Sequence, residues 1–196
     1  MYKRQQPIND LIEKRAKELK NKIAYADETE KISYENLNIE TKSLSFYLNE
    51  KKLNSGEAAS IILPNSVNWI VSCFAIIRLG CLVVPISYDS TLSEIEYKLN
   101  DSNTKILITT NEIKDKIKKQ LELKNEIQFI TVDDQKADLN LTKVRKINHQ
   151  SILLKDDINK PSYILYTSGT TGQPKGVILT TCLLYTSPSP LDYPGS

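Results

Sequence analysis

A chain of 196 residues has about the size of one domain and is long enough to bury a hydrophobic core. Its formal net charge of +2, with lysine and glutamate spread along the sequence, gives no argument for a nucleic-acid partner. It contains no run of about eighteen apolar residues, so we expect no transmembrane helix, although a peripheral membrane contact stays open.

The cysteines and the first residues indicate the cellular compartment in which we expect the protein. Cys73 and Cys81 lie in apolar surroundings, which predicts buried thiols rather than metal ligands. The segment Met1–Pro7 lacks the apolar stretch of a secretory signal. We therefore expect a protein of the reducing cytoplasm.

Helix and strand signals alternate from the first residues onward. Asn9 is expected to cap an N-terminal helix, and Ser66 a helix that Gly80 can end. The spacing of Thr91 and Glu94 predicts a capping box at the start of another helix. The remaining apolar runs predict strands over 23–26, 31–34, 58–63, 82–85, 105–109 and 127–132.

The order of these elements indicates the fold class. Strands alternate with helices at least three times, which is typical of an α/β protein with a mainly parallel sheet flanked by helices on both faces. Residues 133–160 are polar and irregular, so we expect a surface connection there.

The segment Ser168–Gly176 carries the strongest functional signal. It holds three of the six glycines, the hydroxyls of Ser168, Thr170 and Thr171, and Lys175. Glycines let backbone N–H groups turn toward an anion, hydroxyls add donors, and an ammonium adds positive charge. The composition therefore predicts a site for a polyphosphate such as the tail of ATP.

The setting of this loop separates it from the P-loop. Residues 162–166 and 177–180 both predict buried strands, so the loop should join two strands rather than open a helix. A Walker A motif requires Gly-Lys-Ser/Thr, whereas Pro174 precedes Lys175 and Gly176 follows it.

The string Tyr166–Val177 closely resembles the phosphate-loop signature of the AMP-forming adenylating enzymes. These include acyl-CoA synthetases, nonribosomal-peptide adenylation domains and luciferases. Three earlier segments resemble the family in the same order, namely Lys31–Leu37, Arg78–Pro85 and Ile95–Ser102 followed by Lys105–Ile108. The resemblance covers residues 7 to 180 and implies the N-terminal subdomain of an acyl-adenylate-forming enzyme.

The resemblance also implies a reaction and a set of site residues. A carboxylic acid would attack ATP to give an acyl-adenylate and pyrophosphate, and CoA would then displace AMP. Lys175 would be catalytic by offsetting charge on the departing pyrophosphate, Pro174 would stiffen the turn, and Gly176 would shape the loop. The implied ATP-binding residues are Thr167, Ser168, Gly169, Thr170, Thr171, Gly172 and Lys175. Thr167 would act mainly on the shape of the loop, and the ligands of Mg²⁺ would lie mostly beyond this chain.

Family members are more than twice as long, so residues 1–181 are expected to form a truncated N-terminal part of the AMP-binding domain. Residues 182–196 depart from the family pattern and contain three of the eight prolines in their last nine positions. We expect a non-native tail, the alternative being a disordered natural terminus.

Three functions follow from the resemblance. The stretch Pro85–Ser93 favours an acyl-CoA synthetase, and we expect its acid to be a fatty acid. This chain would be an incomplete fragment of such an enzyme, inactive alone. The alternatives are a fragment of a nonribosomal-peptide adenylation domain and a non-catalytic nucleotide-binding module.

Overall fold

Helices and strands alternate along the chain as predicted. The computed structural model describes residues 8–133, 141–145, 160–167 and 174–180. The helices are α1 (Ile8–Leu19), α2 (Tyr34–Glu50), α3 (Val67–Arg78), α4 (Leu92–Asp101), α5 (Asn111–Gln120) and α6 (Leu141–Arg145). The strands are β1 (Ile23–Ala26), β2 (Lys31–Ser33), β3 (Ala58–Ile61), β4 (Leu82–Pro85), β5 (Ile106–Thr109), β6 (Gln128–Thr131), β7 (Pro161–Thr167) and β8 (Lys175–Thr180). Of the helices in these ranges, none combines the length and the apolar character needed to cross a bilayer.

Six strands form one sheet in the order β6-β5-β3-β4-β7-β8. Every neighbouring pair is parallel except β7 and β8, which are antiparallel. Strands β1 and β2 form a separate antiparallel pair. The predicted mainly parallel sheet is confirmed, and β8 is the antiparallel strand at one edge.

The two faces of the sheet belong to different hydrophobic clusters, because successive side chains of a strand point to opposite faces. In β3, Ala59 and Ile61 pack with α2, α3 and α6. Ala58 and, just after the strand, Ile62 pack with α4 and α5 on the other face. Each fully buried isoleucine or leucine stabilises the fold by about 1.5–3 kcal/mol. Helices therefore cover both faces, as the alternation predicted.

The predicted helix boundaries of α3 and α4 are confirmed. Ser66 Oγ accepts a hydrogen bond of 3.2 Å from the Trp69 amide at the start of α3. Gly80 follows the last turn of α3 with a φ of +67°, and a Cβ there would lie 2.8 Å from Ser55 Oγ. Thr91 and Glu94 form the predicted capping box of α4. The Asn9 prediction is wrong, since Asn9 lies inside α1 rather than at its N-cap.

The prediction of a polar surface connection over 133–160 is wrong at α6. Leu141 and Val144 are buried, and Arg145 is completely buried. The Arg145 guanidinium lies 2.6 Å from Glu40 Oε2 of α2 and 3.0 Å from Glu30 Oε1. It also donates to Asn68 Oδ1 in α3. A buried arginine is tolerated because these acceptors offset the loss of its hydration.

Asp27 joins the β1–β2 turn to the start of α3. Its Oδ1 accepts the amides of Thr29 and Glu30, both at 2.7 Å, and its Oδ2 accepts the Val67 amide at 2.8 Å. These hydrogen bonds favour the ionised carboxylate and hold the pKa of Asp27 far below its ordinary range. The bond from the Val67 amide has the largest effect, followed by those from Thr29 and Glu30.

This arrangement predicts a dependence of stability on pH. Because the pKa is depressed in the folded state, the contribution of Asp27 is present above about pH 3.9 and is lost as the pH falls through the folded value. Asp27→Asn should lower stability at neutral pH and flatten the decline between about pH 4 and 2. Urea unfolding followed by circular dichroism at several pH values measures the stability at neutral pH and its decline on acidification. Asp115→Asn, on an exposed position of α5, should change neither, and an unaltered pH profile for Asp27→Asn would contradict the assignment.

Candidate functional site

The predicted phosphate loop connects two paired strands. Strands β7 and β8 run antiparallel from the pair Pro161 and Thr180 to the pair Thr167 and Lys175. The prediction of a loop between two strands, rather than a loop opening a helix, is confirmed. The predicted burial of residues 177–180 is wrong, because β8 is an edge strand on which Val177 and Ile178 are exposed. Thr167 and Lys175 are brought together as the last residue pair before the connection.

The remaining predicted site residues, Ser168, Gly169, Thr170, Thr171 and Gly172, lie outside the described residues. Thr167 and Lys175 are both exposed, and Pro174 is half-buried. The two ends of the connection are therefore fixed by the strand pairing, with a hydroxyl and an ammonium facing solvent. The assignment of all these residues to ATP binding stays a prediction.

Strand β7 is held on both of its faces by tyrosine hydroxyls. The Tyr163 hydroxyl lies 2.8 Å from Cys73 Sγ of α3. The Tyr166 hydroxyl donates to Asp101 Oδ2 of α4 at 2.7 Å. Burial, and then the bond to Asp101, raise the pKa of Tyr166, so the phenol stays protonated and acts as a donor. The strand that leads into the loop is thus tied to the helical layers on both sides.

Gly176 has a packing reason to be glycine. It pairs with Tyr166 across the hairpin. A Cβ on Gly176 would lie 3.1 Å from Ile164 Cγ2 and 3.3 Å from two ring atoms of Tyr166. The absence of a side chain there lets the Tyr166 ring lie against the backbone of β8.

A crevice opens at the same end of the sheet. The chain leaves β3 toward α3 on one face and leaves β4 toward α4 on the other. Between these two connections lies a cavity of about 540 Å³, lined by Pro64, Asn65 and Trp69 on one side and by residues 85–89 on the other. In open α/β sheets, ligands bind where neighbouring strands send their connections to opposite faces. Because β7 is parallel to β4, Thr167 leaves the sheet at this same end.

Sequence reasoning did not locate this crevice. The residues around it signal only a strand end and a helix cap. That β4 lies between β3 and β7 follows from the strand order, which no local pattern encodes.

The described residues provide no ligand set for a metal ion. Across 8–133, 141–145, 160–167 and 174–180, no group of three or more His, Cys, Asp or Glu side chains is placed to hold one. That the ligands of Mg²⁺ lie mostly beyond this chain stays a prediction.

Comparison with known proteins connects this arrangement to a family. A profile described as "AMP-binding enzyme" matches residues 12–187. Gramicidin S synthase 2 from Brevibacillus brevis is 31% identical over 172 residues, which cover 88% of this chain and 4% of that protein. A dimodular nonribosomal peptide synthase from Bacillus subtilis strain 168 is 28% identical over 173 residues, which cover 88% of this chain and 7% of that protein.

Solved structures show the same fold. A fatty acyl CoA synthetase from Mycobacterium tuberculosis superposes with a TM-score of 0.77 at 22% identity, over 89% of this chain and 34% of that protein. At that identity the likeness concerns the fold alone. The chain thus spans a small share of the two curated relatives and about one third of the synthetase.

Proposed function

This chain belongs to the AMP-binding enzyme family, and we propose that its glycine-rich hairpin binds the triphosphate of ATP during the activation of a carboxylic acid. One observation carries the proposal. The glycine- and hydroxyl-rich loop is closed by the pair Thr167 and Lys175 at the carboxyl end of a parallel sheet. A ligand bound in the neighbouring crevice would meet the loop from that side.

The physical difficulty of this reaction is to bring a carboxylate to a polyanion. No protein nucleophile is required, since the carboxylate itself attacks the α-phosphorus and pyrophosphate leaves with the electron pair of the broken P–O bond. Positioning and electrostatic stabilisation must lower the barrier. In the proposal, Ser168, Thr170 and Thr171 and the glycine amides hold the β- and γ-phosphates, and Lys175 offsets charge on the leaving pyrophosphate.

The nature of the acid is a finer proposal. The stretch Pro85–Ser93 favours an acyl-CoA synthetase, in which a fatty acid would be transferred to CoA, and the fold is shared with a fatty acyl CoA synthetase. The curated relatives named above are instead a gramicidin S synthase and a nonribosomal peptide synthase, which supports an amino acid held as its adenylate. In an enzyme that contains this chain, ATP–pyrophosphate exchange with fatty acids and with amino acids in parallel would distinguish the two.

We also propose a cytoplasmic location. Cys73 and Cys81 are free and buried, as predicted. Burial raises the pKa of each thiol to about 12, which keeps both protonated and unreactive. Fractionation of the native host with an antibody against the chain tests the location.

Binding of the triphosphate is tested on the chain itself. Isotope-labelled protein is titrated with ATP, with tripolyphosphate and with AMP while backbone amide shifts are recorded. We expect ATP and tripolyphosphate to shift the amides of residues 168–176, with a dissociation constant of about 1 mM or tighter. AMP, which lacks the β- and γ-phosphates, should leave these amides unchanged. Shifts confined to other regions, or none at all, would refute the proposal.

A non-catalytic nucleotide-binding module remains the second candidate. It predicts ATP binding without exchange of pyrophosphate in any enzyme that contains the chain. Exchange activity would exclude it.

A further inference from the structure

Asp101 lies at an electrostatically unfavourable position at the end of α4. Asp101 is the last residue of this helix, where the helix dipole presents its negative end. A carboxylate at that position is destabilised by the dipole, and a lysine or arginine would be favoured. Its exposed carboxylate instead accepts the Tyr166 hydroxyl across 65 positions of sequence at 2.7 Å.

The ring of Tyr166, whose hydroxyl binds Asp101, is confined on three sides. Asp101 holds the hydroxyl, and the Tyr97 ring packs against the Tyr166 ring edge-on, with centroids 6.1 Å apart at 77°. Gly176 leaves room for the ring on the third side. These contacts favour one orientation of the ring over others.

The backbone that Tyr166 fixes is the one that bears the loop. Tyr166 directly precedes Thr167, and its partner Gly176 directly follows Lys175. A shift of the Tyr166 ring would therefore move both ends of the loop, each through a single peptide bond. The bond to Asp101 lies outside the loop, on the residue next to Thr167 and on the pair next to Thr167 and Lys175.

We infer that Asp101 is a positioning residue for the phosphate loop, acting through the hydroxyl of Tyr166 on the pair Thr167 and Lys175. This inference rests on the proposed function and names a residue of α4 that is remote from the loop in sequence. It requires the Asp101–Tyr166 bond to set ATP affinity as well as stability.

The test compares ATP affinities of variants of the full chain by the same amide titration. Tyr166→Phe removes the donor, and Asp101→Leu removes the acceptor; each should weaken ATP binding about fivefold to tenfold, the effect of losing one hydrogen bond of ordinary strength. The double variant should be no weaker than Tyr166→Phe alone, because Tyr166→Phe already removes the bond that Asp101→Leu removes. Asp101→Asn keeps an acceptor oxygen and should recover most of the affinity.

Tyr163→Phe is the matched control, because it removes a phenolic hydroxyl from the same strand on its other face. It should change the urea midpoint to a similar extent as Tyr166→Phe but leave ATP affinity within about twofold. If Tyr163→Phe weakens ATP binding as much as Tyr166→Phe, the effect is one of general stability and the inference is overturned. It is equally overturned if the wild-type chain binds ATP and the Asp101→Leu variant binds ATP with the same affinity. A wild-type chain that does not bind ATP refutes the proposed function first, and the positioning role with it.

Discussion

Replacing Lys175 by alanine is expected to slow adenylate formation by about 10²–10³-fold in an enzyme that contains this chain, which is the usual loss on removing one preorganised electrostatic group. Lys175 begins β8 and pairs with Thr167. It is exposed at the end of the β7–β8 hairpin from which the connecting loop leaves. Its ammonium can approach a leaving pyrophosphate without disturbing a packed core. The rate of ATP–pyrophosphate exchange measures the loss.

Two further variants define the role of the charge. Lys175→Arg keeps a cation with different geometry and should retain more activity than alanine. Lys160→Ala removes an exposed lysine at the opposite end of the same hairpin and should leave the rate within about twofold. An exchange rate unchanged by Lys175→Ala, in a protein whose unfolding midpoint is also unchanged, would remove Lys175 from the mechanism.

Replacing Arg145 by alanine is expected to destabilise the fold by about 3–5 kcal/mol, because it leaves a buried carboxylate without its cation. Arg145 is completely buried, and the side chain of its nearest carboxylate partner, Glu40, is only 11% exposed. Such a loss is comparable with the whole stability of a small domain, about 5–15 kcal/mol. Urea unfolding followed by circular dichroism gives the free energy directly.

The chain offers a control of the same chemistry at the surface. Arg15 lies 3.1 Å from Glu18 in α1, with both side chains more than two-fifths exposed. Arg15→Ala should therefore cost no more than about 0.5 kcal/mol. The double variant Arg145→Met with Glu40→Leu removes both buried charges and should recover most of the stability. Equal losses for Arg15→Ala and Arg145→Ala would show that burial of the pair is unimportant.

Several parts of the fold could be predicted because their physical causes are local. The capping box at Thr91, the Ser66 cap and the Gly80 terminus each involve residues within three positions of a helix end. The class of the fold follows from alternation of apolar strands and helices, which is written in successive residues. The phosphate loop was identified on a contiguous string, and its setting between two strands followed from the apolar runs on either side.

The sequence by itself therefore determined the α/β class, both ends of α3, the start of α4 and the family to which the loop pointed. Only the tertiary structure decided that β7 lies beside β4, that the crevice opens at the carboxyl ends of β3 and β4, and that Arg145 is buried in a segment that looked polar. It also decided that Asp101 meets Tyr166. The reason is that these contacts join residues 65 to 115 positions apart, so their partners are chosen by strand order and helix packing rather than by periodicity along the chain.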